Sequence, residues 1–199
     1  TMEVEAVDEG VIGAILVPLT THVAQRKISD TQKTLEDIRE ALLGYAIANG
    51  RLPCPASPTS IGIESPAGGG ACTNPYNGYV PARTLGLQAT DSQGYAIDAW
   101  GTRIRYAVTT ANSNAFTTTN GMRTAGIATL VPDLHVCASS TGIAATDCGT
   151  ATDLTGSTST KWAPAVIYSL GPNWATGGTS ADEAANPNPN STNNDQVFV

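Results

Sequence analysis

The side chains best suited to chemistry in this sequence are gathered at its end. Between Tyr168 and Val199 stand Ser169, Asn173, Asp182, Glu183, Asn186 and Asp195, interleaved with Gly171, Gly177 and Gly178. All six are hard oxygen donors, and a glycine-rich backbone adds accessible carbonyls. Calcium takes six to eight oxygens of this kind, and a flexible loop can wrap them around the ion. The spacing is not that of an EF-hand, which needs alternating acids, a glycine and a closing glutamate. Composition leaves two readings open, a solvated loop and a calcium loop.

Elsewhere, catalytic patterns are missing. The sequence has no Gly-x-Ser-x-Gly elbow, no phosphate-binding Walker loop and no Gly-x-Gly-x-x-Gly. His22 and His135 lack metal or triad spacing and read as surface or packing residues. Asp91 and Asp98 sit in turn-like surroundings, where an aspartate serves its own backbone. The expectation is a protein that is not an enzyme. Nucleic acid is excluded as a partner, because only 14% of residues are charged, the net charge is -7, and Lys and Arg are not clustered.

Four cysteines, Cys54, Cys72, Cys137 and Cys148, lie in loop-like sequence without a Cys-x-x-Cys pair, which favours disulfides over a metal site. Loop closure favours Cys54 with Cys72 and Cys137 with Cys148, and disulfides imply an oxidising compartment.

These loops need elements to hold them. The apolar run over residues 11–19 is too short for a bilayer, which needs about 20 residues. Beyond it Ile28, Leu35, Ile38, Leu42 and Tyr45 recur at helical intervals, with charge on the other face. Asn49 and Gly50 supply a left-handed stop, Pro53 blocks continuation, and Pro18 is a candidate kink. If continuous over residues 11–48, this helix is about 57 Å long, more than a small domain needs. Residues 51–81 read as a disulfide-held loop, and strands are expected over 103–108 and 163–170, near "GIATLV" at Gly126, and in the closing "QVFV". The Thr-rich stretch 109–161 reads as decorated loops. The resulting class is α+β, with a long N-terminal helix over 1–50 and a globular head over 51–199.

The order of long helix, "ANGRLPCPA", "DAWGTRIRYAV" and "IYSLG…GG…ADEAAN…DQVFV" resembles the type IV pilin-like family, and within it the type II secretion pseudopilins. The resemblance implies a long helix packed on a small antiparallel sheet. It also implies a structural role: a subunit held in the inner membrane, processed by a prepilin peptidase and methylated, then assembled by pilus or secretion machinery into a homo-oligomeric helical filament. The filament would be a periplasmic pseudopilus or lie at the cell surface. In the major pseudopilins a similar closing loop binds calcium, which implies as Ca²⁺ ligands here the Leu170 carbonyl, Asn173, Asp182 and Asp195, with Ser169 and Glu183 beside them. Glu5 falls where the family's glutamate sets subunit register. Glu3, Asp8 and Glu9 depart from the family's apolar start, and Asn173 stands where an acid is usual. The alternative function is a secreted adhesin or binding module using the Thr-rich surface.

Overall fold

The computed structural model describes residues 9–156, 158, 162–187 and 194–199, with helical side chains from residue 20 onward. Glu5, with Glu3 and Asp8, lies outside the described residues. Helix α1 runs Glu9–Asn49 and is continuous through position 18, so no break occurs at the proline. Its end is built as the sequence implies. Gly50 adopts φ +63, its N–H donates to the Ala46 carbonyl at 2.8 Å, and Asn49 Nδ2 donates to Tyr45 O at 2.9 Å. Arg123 reaches in from the head to donate to the carbonyls of Ile47 and Ala48 at 2.6 and 3.2 Å. A cation there satisfies orphan carbonyls and complements the negative end of the helix dipole.

The helix is supported unevenly. Ile38 and Leu42 are buried, and Leu35 and Ala46 pack beside them against Leu52, Val80, Ile104, Tyr106 and Val108. Upstream the support thins: residues 20–30 are exposed apart from Lys27, Val23 and Ile28 are each 48% exposed, and from the head Trp100 lines an open cleft with Thr20, Val23, Ala24 and Lys27. Ile28 therefore leaves the core face its spacing predicts and joins none of the buried clusters.

The head centres on an antiparallel sheet in the order β1 (Gly78–Tyr79), β2 (Arg105–Val108) and β4 (Ala165–Tyr168). Tyr79 pairs with Arg105 and Arg105 with Tyr168, so one cross-strand row reads Tyr79, Arg105, Tyr168. Successive side chains of a strand alternate between faces. Tyr106 and Val108 join the α1 core, whereas Ala107 meets Leu134 and Phe198 on the other side. A parallel ribbon pairs β3 (His135–Val136) with β5 (Val197–Phe198), bringing the closing residues onto this second core. The architecture is α+β, as expected. The "GIATLV" strand is corrected: it forms a 3-10 turn at Ile127–Thr129 after α4 (Gly121–Ala125), since Gly126 at φ +82 breaks any extended run. Turn α2 (Ala82–Leu85) and the short α3 (Ala111–Asn114) fill the remaining connections, the latter with left-handed backbone at 112–114.

Both expected disulfides are present, Cys54–Cys72 and Cys137–Cys148. The first sits in "RLPCPA", whose burial has an ionic cause. Arg51 and Glu64 form a bidentate pair, both bonds 2.7 Å, with both side chains 6% exposed. Glu64 also accepts from the Cys54 N–H at 3.1 Å, the Gly68 N–H at 3.2 Å and the Tyr45 hydroxyl at 3.3 Å. A buried carboxylate needs such a set of donors, because desolvation otherwise disfavours its charge.

Candidate functional site

The closing loop leaves β4 at Ser169, whose hydroxyl donates to Asp98 Oδ2 at 2.5 Å and accepts the Gly171 N–H at 3.0 Å. The other oxygen of Asp98 accepts the N–H groups of Trp100 and Thr102, at 2.9 and 2.8 Å, which is the turn role its setting implies. Beyond Asn173 a 3-10 turn, Trp174–Thr176, leads through Gly177 and Gly178 to helix α5 (Ala181–Ala185). That helix opens with a reciprocal cap. Ser180 Oγ accepts the Glu183 N–H, and Glu183 Oε2 accepts the N–H groups of Ser180 and Thr179, at 3.0 and 2.6 Å. Such a box satisfies helix-start donors from both sides.

Glu183 is consequently held as an anion. The Thr179 N–H, then the Asn173 amide at 3.3–3.4 Å and the Ser180 N–H, bring its carboxyl down to about 2. Ser169, Leu170, Asn173 and Glu183 line one cleft of about 160 Å³. The Leu170 carbonyl accepts no hydrogen bond among the described residues. The cleft thus offers a carboxylate, an amide oxygen and a backbone carbonyl, donors of the type a hard cation takes. The other two implied ligands point elsewhere. Asp182 Oδ1 accepts from the Ser140 N–H at 2.7 Å and Ser139 Oγ at 3.4 Å, tying α5 to the Cys137–Cys148 loop. Asp195 Oδ1 accepts the Val197 N–H at 3.1 Å, and burial pushes its carboxyl upward. Neither lines the cleft. Asn186, absent from the implied ligand set, anchors the chain end: it donates to the Val199 carbonyl at 2.7 Å and accepts the Val199 N–H at 2.9 Å.

A second group has metal-ligating residue types. His135, Cys148 and Asp153 present ligand atoms within 4.8 Å of one another. Cys148 is consumed by its disulfide and offers no thiolate, so what remains is a His135 Nδ1 to Asp153 Oδ2 bond of 2.7 Å under the Trp162 ring.

Across Leu170 and Trp174 lies a second cleft, about 250 Å³, that the closing loop shares with strand β2 and the turn before it. Its polar walls are Asp91, Thr102, Arg103 and Arg105. Arg103 pairs with Asp91 at 2.7 Å and stacks 4.0 Å from the Tyr95 ring centre. Sequence reasoning passed over this group, although "RIRYAV" carries the signal: two arginines two residues apart in a strand share a face, and the intervening Ile104 marks the buried opposite one.

Among the described residues, no helix is long and apolar enough to cross a membrane. Set against protein-family models, curated proteins and solved structures, the chain matches none of them.

Proposed function

We propose that this protein is a structural subunit of a pilin-like filament, of the type IV pilus or type II secretion pseudopilus kind, and that it assembles through α1. One observation carries the reading: α1 has 41 residues, and its stretch over residues 20–30 is exposed apart from Lys27, with Val23 and Ile28 each 48% exposed. Helices in water draw most of their stability from packing an amphipathic face. A long helix whose exposed stretch keeps apolar residues is suited to packing against copies of itself. Two disulfides fit a protein that works outside the reducing cytosol. On this reading the subunit passes through the inner membrane before assembly by pilus or secretion machinery. It then stands in the periplasm or at the cell surface, and its role is not enzymatic.

The same reading gives the first cleft a structural Ca²⁺. Its ligands would be the Leu170 carbonyl, the Asn173 amide oxygen and the Glu183 carboxylate. Asp182, one residue before Glu183, could join only by releasing the Ser140 N–H.

Electron microscopy tests the assembly proposal. The native chain should form helical filaments, whereas Val23→Glu with Ile28→Glu should leave single subunits of unchanged melting temperature, because neither side chain touches the core. A native chain that stays monomeric at every concentration, with no filament in native material, would end the proposal.

A further inference from the structure

The disulfide Cys137–Cys148 has metal-ligating neighbours on the face it occupies. His135 and Cys137 are two apart along one extended run, so their side chains share a face, while Leu134 and Val136 turn to the Phe198 core. Asp153 lies across from Cys137 in an antiparallel bridge. A ring nitrogen of His135, Cys148 Sγ and a carboxylate oxygen of Asp153 lie within 4.8 Å of one another, and Cys137 Sγ is bonded to Cys148. His135, Cys137 and Cys148 are buried, and the Asp153 side chain is 18% exposed. Backbone bonds hold this arrangement independently of the disulfide. The His135 and Cys137 N–H groups donate to the Gln196 and Phe198 carbonyls at 2.9 and 2.7 Å, Leu154 N–H to the Val136 carbonyl at 2.7 Å, and Ala151 N–H to the Cys148 carbonyl at 2.8 Å. Asp153 Oδ1 accepts the Thr155 N–H at 2.9 Å and hydroxyl at 2.5 Å, which leaves Oδ2 to face His135.

We propose that, when this disulfide is reduced, Cys137, Cys148, His135 and Asp153 bind one Zn²⁺. In the reduction a dithiol supplies two electrons and two protons, becomes a disulfide itself, and leaves thiols at Cys137 and Cys148. Zn²⁺ then displaces both thiol protons to solvent and takes two thiolates, a neutral ring nitrogen and Asp153 Oδ2. Sulfur and imidazole ligands suit zinc, whereas calcium takes oxygen. Tetrahedral zinc with bonds of about 2.0–2.3 Å spaces its ligand atoms about 3.3–3.8 Å apart, so atoms within 4.8 Å need to close by about 1 Å. Thr155 orients the carboxylate from behind, and the Trp162 ring, 4.5 Å from that of His135, covers the imidazole. The ion has a way in, because Thr152 and Leu154 beside Asp153 are exposed and cleavage frees the chain between Cys137 and Cys148. The two states exclude each other, since sulfurs bonded together offer no thiolate. The site rests on neither the calcium nor the filament proposal.

The test titrates the 199-residue chain with Co²⁺, a coloured stand-in for Zn²⁺, after reduction by a phosphine, which adds no competing thiol. The reduced chain should keep its circular dichroism and take up one Co²⁺, with thiolate-to-cobalt charge-transfer absorption and the visible bands of a tetrahedral site. One equivalent of Zn²⁺ should erase both. The oxidised chain should show neither. Asp153→Asn should weaken the metal about tenfold or more, as loss of even an outer-shell partner does. Cys137→Ser with Cys148→Ser should abolish the charge-transfer band although Cys54 and Cys72 are still present. If that double variant fails to fold, the oxidised chain and Asp153→Asn still decide. The proposal is overturned by a reduced chain that unfolds or gives no charge-transfer band, by equal binding to the oxidised chain, by a band that survives in the double variant, or by Asp153→Asn binding as the native chain does.

Discussion

Glu64 shows how much a single residue carries here. Burial pushes its carboxyl upward, but the hydrogen bonds from Arg51 and from the Cys54 N–H outweigh that and hold it below its ordinary value of 4.5. A depressed folded pKa contributes stability that is present above the unfolded value and is lost as pH falls through the folded one. Urea midpoints should therefore decline as pH drops below about 4.5, and the decline attributable to this pair should vanish in Glu64→Gln. At pH 7 that variant should lose about 3–5 kcal/mol, because it leaves Arg51 buried without its partner. Glu183 has the same sign of shift, to about 2, but stands in water at the cleft for which calcium is proposed. Its informative test is the cation: Ca²⁺ at one hundred times its dissociation constant stabilises by about 2.7 kcal/mol. EDTA should then lower the melting temperature, and Glu183→Gln should remove that response. A melting curve unmoved by EDTA would reject the calcium proposal and leave the filament proposal standing.

Among the elements, the described side chains of α1 divide into a packed stretch over 35–46 and an exposed one over 20–30. Ile38→Ala should cost about 2–5 kcal/mol because it empties a core position. Ile28→Ala, 48% exposed, should stay within about 0.5 kcal/mol. Equal effects in chemical denaturation would show that the head reaches farther along the helix than its contacts imply. Hydrogen exchange should follow the same division, faster over residues 20–30 than over 35–48. The loop elements depend on cross-links. Cys137→Ser with Cys148→Ser opens a loop of 11 residues' separation, and chain entropy puts the loss at about 3 kcal/mol. Because Asp182 holds the Ser139–Ser140 turn inside that loop, the same variant should loosen α5, seen as faster exchange of its amides. Periodicity foretold α1, β2 and β4, since each has a long or strongly apolar signal. It misjudged "GIATLV" because a short apolar run carries no direction of its own, and it could not foresee the two-residue strands β1 and β3, which exist only through their partners.

For the molecule as a whole, the exposed stretch of α1 is the feature that a single subunit leaves unexplained, and the filament proposal gives it neighbours. The sequence by itself determined the features that are local. Helix α1 and its glycine stop follow from spacing and backbone freedom, the pairing of four cysteines from loop closure, and the turn at Asp98 from its own backbone donors. Its closing stretch also announced hard oxygen donors. Tertiary structure alone decided which of them converge. Asn173 and Glu183 meet across the loop because the cap of α5 turns Glu183 back, while the adjacent Asp182 is drawn away by the Ser140 N–H. Only the pairing of three strands and the return of the loop brought Arg103 and Arg105 to one cleft. Neighbours along a chain constrain one another's dihedrals directly. The direction of a carboxylate or the partner of a buried guanidinium depends on donors far away in sequence, which come together only when the core closes.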